Sequence, residues 1–222
     1  MPPDKNTAKC EDTVARNLGK LAACIRKCHI KQADLALKQK PFDEEGCETG
    51  GDKSCRGKYD AASTALEAKS ICPPCLDETA RGDLADQVTN AIESTEQGDI
   101  YCAGSSAFGG DDSGFVPPDT DTGKCEDAVA KAVATFAGCV GKCEIKQANV
   151  EFKQKPFDKA ACESGAKSCR TKYDASSGKL DEKGTCPACL DAAARGSVAD
   201  ATRDFLEQHQ AQIYCAGTVP LE

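Results

Sequence analysis

Residues 10–28 read CEDTVARNLGKLAACIRKC, and residues 125–143 read CEDAVAKAVATFAGCVGKC. In the first stretch Val14, Leu18, Leu21, Ile25 and Cys28 alternate steps of four and three. Val129, Val133, Phe136, Val140 and Cys143 repeat the pattern in the second. An α-helix turns once in about 3.6 residues, so each set lies along one stripe of a helix. One amphipathic, cysteine-bearing helix therefore occurs twice in the chain.

The likeness extends outward. At an offset of 115, 24 of the 45 positions from 2 to 46 are identical, and Lys58-Tyr59-Asp60-Ala61 returns as Lys172-Tyr173-Asp174-Ala175. Ile100-Tyr101-Cys102-Ala103-Gly104 returns as Ile213-Tyr214-Cys215-Ala216-Gly217. The cysteines follow spacings of 14, 4, 19, 8, 17, 3 and 27 residues, then 14, 4, 19, 7, 17, 3 and 26. A fixed internal period marks a duplication. It divides the chain into an eight-cysteine unit over residues 2–104, a linker over 105–116, and a second unit over 117–217. The glycines, serines and paired aspartates of the linker predict flexible chain.

Each unit reads as all-α, a helical hairpin plus a third helix. Lys40-Pro41-Phe42-Asp43 ends the first helix, because proline disfavours a helical residue before it, and Asp43 is placed to cap the next segment. A second helix is expected over roughly residues 55–69. Pro73 and Pro74 interrupt again, and Asp83 is the expected cap of a third helix carrying Leu84, Val88 and Ile92. In an antiparallel hairpin, residues at one level have a nearly constant sum of positions. Pairing Cys28 with Cys47, Cys24 with Cys55 and Cys10 with Cys72 gives 75, 79 and 82. Pairing Cys143 with Cys162, Cys139 with Cys169 and Cys125 with Cys186 gives 305, 308 and 311. The remainder would then join as Cys75–Cys102 and Cys189–Cys215, although exchanging Cys72 and Cys75 fits almost as well. Eight cysteines allow 105 connectivities.

Composition agrees with a cross-linked chain. There are 16 cysteines, no tryptophan, one methionine and only 5% aromatic residues. Small secreted domains offset thin cores with disulfides. Each unit carries fewer cations than anions, for a net charge of −8. No basic cluster offers a nucleic-acid surface, which needs clustered cations, and no run is long enough to span a membrane. Met1-Pro2-Pro3-Asp4 lacks both the basic start and the apolar stretch of a signal peptide. With cysteines that imply export, Met1 reads as an added start to a mature segment, and Leu221-Glu222 as the remnant of a removed tag. The expected compartment is extracellular or periplasmic.

Three sharper uses of the cysteines compete with cross-linking. Cys24-Ile25-Arg26-Lys27-Cys28-His29 is a widened haem-attachment spacing, but Glu144 replaces the histidine in unit two and a carboxylate is no substitute for the axial imidazole. Cys72-Pro73-Pro74-Cys75 and Cys186-Pro187-Ala188-Cys189 have dithiol oxidoreductase spacing without the βαβ context of those enzymes. Cys24 and Cys28, four apart on one helix face, could hold a soft metal ion as thiolates. Among the carboxylates, Asp77, Asp191, Asp86 and Asp200 recur in both units and could serve acid–base chemistry, though capping and solvation account for them as well. Arg81 and Arg195 recur before a glycine, and Phe42 and Phe157 recur in the proline turn. These four are the candidate binding surface.

Cys28-His29, the Pro41–Cys47 turn and Lys58-Tyr59 leading to Cys72 resemble the Ala/Lys-rich, cysteine-bearing helical repeats of uncharacterised, predicted secreted bacterial proteins. The resemblance implies four matching cysteines, at Cys10, Cys28, Cys47 and Cys72, and an aromatic position at Tyr59. This chain has four further cysteines per unit, and the family brings no function with it.

The favoured reading is a secreted, disulfide-stabilised binding or structural module for an unknown extracellular ligand or surface, with enzymatic activity left open. The alternatives are an extracellular hydrolase using carboxylates and a cysteine-rich metal-binding or storage protein. No catalytic, cofactor or metal residues are assigned. Carriage of a small apolar ligand would need an internal apolar cavity, and with so few large side chains none is expected.

Overall fold

A computed structural model describes residues 2–217. Met1 and residues 218–222, and with them the readings of Met1 and of Leu221-Glu222, lie outside the described residues. The protein is mostly helical. Its elements run α1 (Lys5–Leu37), α2 (Glu44–Glu48), α3 (Cys55–Glu67), α4 (Glu78–Ala91), a π-helical turn (Ile92–Glu96) and α5 (Gln97–Ile100). Then come strands β1 (Ala107–Gly109) and β2 (Asp112–Phe115), followed by α6 (Thr120–Glu151), α7 (Lys159–Ser164), α8 (Cys169–Asp181) and α9 (Ala192–Ile213).

The helix ends follow local chemistry. Side-chain oxygens of Asp4, Asp43, Ser54 and Asp77 accept from free amides at the starts of α1 to α4, and Asp119, Asp158, Ser168 and Asp191 do so for α6 to α9. Such caps satisfy donors that have no partner within the helix. The third helix thus begins at Glu78 behind Asp77. The expected cap Asp83 lies inside it, because the chain is already extended at Asp77 after Pro73-Pro74.

Six disulfides join the hairpins, at Cys10–Cys72, Cys24–Cys55, Cys28–Cys47, Cys125–Cys186, Cys139–Cys169 and Cys143–Cys162. These are the pairs of the constant-sum ladder. The last two are exchanged between the halves: Cys75 bonds Cys215, and Cys102 bonds Cys189. This corrects the expected Cys75–Cys102 and Cys189–Cys215. The reason is length. Cys189 stands just before α9 and Cys215 just after it, and a helix of 22 residues is about 33 Å long at 1.5 Å per residue. A disulfide needs Cα atoms within about 7 Å, so a straight third helix carries its second cysteine away from its first and into the other half.

Polar contacts follow the same exchange. Tyr101 donates to Asp127 (2.9 Å) and Tyr214 to Asp12 (3.1 Å). The amides of Ala103 and Ala216 donate to buried Glu126 and Glu11, both at 3.2 Å. Each Tyr-Cys-Ala-Gly tail therefore docks on the first turns of the other half's long helix. α1 and α6 pack antiparallel, with Asn149 near the end of α6 donating to Asp12 near the start of α1 (2.6 Å). The two apolar cores are shared as well. The core around α1, α3 and α4 takes Ala148, Ile213 and Tyr214, and that around α6, α8 and α9 takes Ala33, Ile100 and Tyr101.

The segment expected to be a flexible linker is a packed hairpin. β1 and β2 pair antiparallel, Ala107 with Phe115 and Gly109 with Asp112. Gly114 sits at φ 93°, where an added Cβ would meet the Tyr101 carbonyl at 2.9 Å. The Phe115 amide donates to that carbonyl (2.8 Å), and Phe108 packs edge-on against Tyr101. The glycines and aspartates that suggest disorder here supply the turn and the close backbone approach instead.

Candidate functional site

Of the sequence candidates, Arg81 and Arg195 are corrected from surface to core. Arg81 has no exposed surface. It donates to Ser63 Oγ (2.7 Å), the Leu76 carbonyl (2.8 Å) and Glu67 (2.9 Å). Arg195 repeats this with Ser177 (2.7 Å), the Leu190 carbonyl (2.8 Å) and Asp181. Tyr59 and Tyr173 donate to the carbonyls of Arg81 and Arg195. A guanidinium offers five donors in a fixed fork, and here it ties the second and third helices of each half together. Phe42 and Phe157 are half-buried beneath Lys31 and Lys146. Asp77 and Asp191 are helix caps, and Asp86 and Asp200 pair with Arg56 and Arg170. All sixteen cysteines are in disulfides, which leaves no thiolate for haem attachment, dithiol exchange or metal storage.

One polar cluster lies outside these candidates. His29 of α1 is 2% exposed. Its Nε2 lies 3.0 Å from Glu48, 3.6 Å from Glu44 and 3.4 Å from Asp112. Glu44 and Glu48 stand one turn apart on α2, so both carboxyls fall on one face, and Asp112 comes from the hairpin. The contacts are ion pairs in distance but lack the alignment of a hydrogen bond, so Nε2 and the facing carboxyl oxygens are buried without a well-formed one. Burial pushes the Glu48 carboxyl up to about 9. For His29 burial acts downward, and the carboxyls of Glu44, Glu48 and Asp112 outweigh it, holding the imidazole at about 9.

The π-helical turn explains how the hairpin reaches this cluster. A π turn holds one residue more than the α-helix it interrupts, and Cys75 to Cys102 spans one residue more than Cys189 to Cys215. The turn leaves the Glu93 carbonyl free to accept from Ser113 Oγ, which in turn accepts from the Gly98 amide (2.9 Å). Ser113 is thereby fixed, with Asp112 beside it, and Gln32 donates to Asp112 from α1.

In the second half the matching chamber is filled differently. Glu144 stands for His29, Glu163 for Glu48 and Glu207 for Glu93, while Lys159 stands for Glu44. The Lys159 ammonium donates to Gln210 (3.0 Å) and lies 3.9 Å from Glu163 and 3.8 Å from Glu207. The glutamine pair above the chamber is common to both halves: Gln97 donates to Gln32 (3.0 Å), and Gln210 to Gln147 (3.1 Å).

Between α1, α4, α6 and α9 lies a cleft of about 540 Å³. Its walls include Leu18, Gly19, Ala22, Val88, Ala137 and Gly141, with the Arg26–Glu96 ion pair (2.5 Å) and Glu144 as polar groups. This corrects the expectation that few large side chains preclude a cavity. Small residues along two crossing helices leave space instead of closing it. A Cβ added at Gly19, Gly138 or Gly141 would meet nothing within 4 Å. Glu144 is buried, its Oε1 has no hydrogen bond, and burial raises its carboxyl to about 7.

The chain matches no protein-family model, no curated protein and no solved structure.

Two signals for these sites stand in the sequence. Glu44 against Lys159 and His29 against Glu144 are charge changes at matching positions of a duplicated segment. The extra residue before Cys102 marks the π turn.

Proposed function

We propose that the protein is a secreted, disulfide-stabilised, duplicated binding module that holds a small, mainly apolar molecule in the cleft between α1, α4, α6 and α9. The observation that carries this reading is the cleft itself. Its volume of about 540 Å³ falls within the roughly 300–1,000 Å³ of small-molecule sites, and its apolar walls with few polar groups have the character of such sites. The buried Glu144 carboxyl supplies one hydrogen-bonding group for a polar end of the ligand. Eight disulfides support an oxidising compartment, extracellular or periplasmic. Among the described residues no helix is long and apolar enough to cross a membrane. The likeness to repeats of predicted secreted bacterial proteins agrees with export.

The hydrolase alternative has less support, since the recurring aspartates serve as caps and ion-pair partners. The test of the favoured reading is titration with a fluorescent fatty-acid analogue. The wild type should bind one equivalent, and Gly141→Leu, whose Cβ meets nothing within 4 Å and whose branch extends into the cleft, should bind at least tenfold more weakly with thermal stability kept. Equal binding by both proteins, or none by the wild type, would refute the proposal.

A further inference from the structure

We propose that His29, Glu44, Glu48 and Asp112 form a binding site for one divalent transition-metal ion, of the Zn2+ or Mn2+ class, distinct from the apolar cleft. Four independent observations meet at this point.

The first is convergence. One ligand atom each from His29, Glu44 and Glu48 lies within 4.8 Å of the others, and Asp112 stands 3.4 Å from the imidazole nitrogen. These residues come from α1, α2 and the hairpin, so the tertiary fold assembles the set. The second is the state of the donors. His29 is 2% exposed and Glu48 is 2% exposed, and both point into the cluster with Nε2, Oε1 and Oε2 lacking hydrogen bonds. They face one another as charges without hydrogen-bond alignment; burying polar groups so is costly, and a metal ion would satisfy all of these atoms at once.

The third is charge. Three carboxyls face one imidazole, and among the described residues no lysine or arginine forms an ion pair with Glu44, Glu48 or Asp112. The second half shows the protein's own answer to the same problem. There a lysine replaces Glu44, and its ammonium stands among Glu163, Glu207 and Gln210. Where the duplicate has a built-in cation, the first half has a further carboxyl and an imidazole. The fourth is construction. The π turn and Ser113, which fix the hairpin and with it Asp112, serve the first half alone.

The donor set indicates the ion. One imidazole with carboxylate oxygens suits zinc or manganese, whereas calcium takes oxygen ligands only. The thiols are all in disulfides and do not compete. Exposed Glu45 and Asp111 adjoin Glu44 and connect the cluster with solvent.

The test uses the full oxidised chain, freed of metal with a chelator and then titrated separately with Zn2+, Mn2+ and Ca2+ by calorimetry and metal analysis. The wild type should take up one equivalent of Zn2+ or Mn2+. Its Tm should rise by about 5–10 °C at a hundredfold excess over Kd. Glu44→Lys copies the second half, so it should keep its helical circular dichroism, lose the uptake and show no metal-dependent Tm. If Glu44→Lys does not fold, His29→Gln is read by the same measures. A wild type that binds neither Zn2+ nor Mn2+, a folded variant that binds as the wild type does, or uptake of Ca2+ alone would overturn the assignment.

Discussion

Replacing Arg81 with methionine distinguishes a structural arginine from one that recognises a ligand. The guanidinium is wholly buried and donates to the Leu76 carbonyl (2.8 Å), Ser63 Oγ (2.7 Å) and Glu67 (2.9 Å). Methionine refills most of the volume but none of the donors. The buried Leu76 and Ser63 acceptors then go unmet, at about 1–3 kcal/mol each. Glu67 is 59% exposed and returns to water at little cost. The expected loss is therefore about 3–4 kcal/mol, near the lower part of the range for breaking a buried charged network. For a chain of this length that lowers Tm by roughly 6–16 °C. Arg195→Met repeats the same bonds in the other half and should cost the same, and the double variant should add to within about 0.5 kcal/mol. Guanidinium denaturation with disulfides intact measures all three. A loss below about 1 kcal/mol, or a large inequality between the two singles, would refute the reasoning.

Two further outcomes concern the buried tails and the hairpin. Burial raises Glu11 and Glu126 to about 7, above their ordinary value of 4.5, so the folded chain binds these protons more tightly than the unfolded chain; stability should rise as pH falls from about 8 towards 5. Thermal melts should give a higher Tm at pH 5 than at pH 8, and the double variant Glu11→Gln/Glu126→Gln should reduce the difference, the remainder coming from Glu48, Glu144 and Glu163; a higher Tm at pH 8 would contradict the assignment. Gly114→Ala should destabilise by about 1–3 kcal/mol, since the residue is held at φ 93° with the Tyr101 carbonyl in the way. An unchanged melt would mean that the hairpin is not held against α5.

Much of the fold is legible in the sequence because two simple geometries govern it. The stripe from Val14 to Cys28 gives the helix, and constant sums give six of the eight disulfides. The exchange of Cys75 and Cys102 escapes that logic, since a sum rule treats every pair as neighbours in a hairpin. The length of the helix between them excludes their union. Arg81 and Arg195 look like surface features because arginine usually is one. Their partners Ser63 and Ser177, eighteen residues upstream, give no local pattern. The His29 cluster draws on α1, α2 and a segment whose composition suggests a linker, and its members become neighbours only when the hairpin folds back. The cleft inverts a rule of composition: scarcity of large side chains leaves space where Gly19, Ala22, Ala137 and Gly141 line crossing helices.

The exchange of disulfides between halves underlies the shared cores, the docked tails and the cleft between them, and one cut tests it. A protease site placed in the hairpin turn at Gly110-Asp111 severs the peptide link between the halves, and alkylation prevents disulfide shuffling. Mass analysis without reductant should find one species carrying both halves, held by Cys75–Cys215 and Cys102–Cys189, which separates into two fragments only on reduction. Two fragments under denaturing conditions without reductant would mean that every cysteine pairs within its own half, and would contradict the interlocked fold.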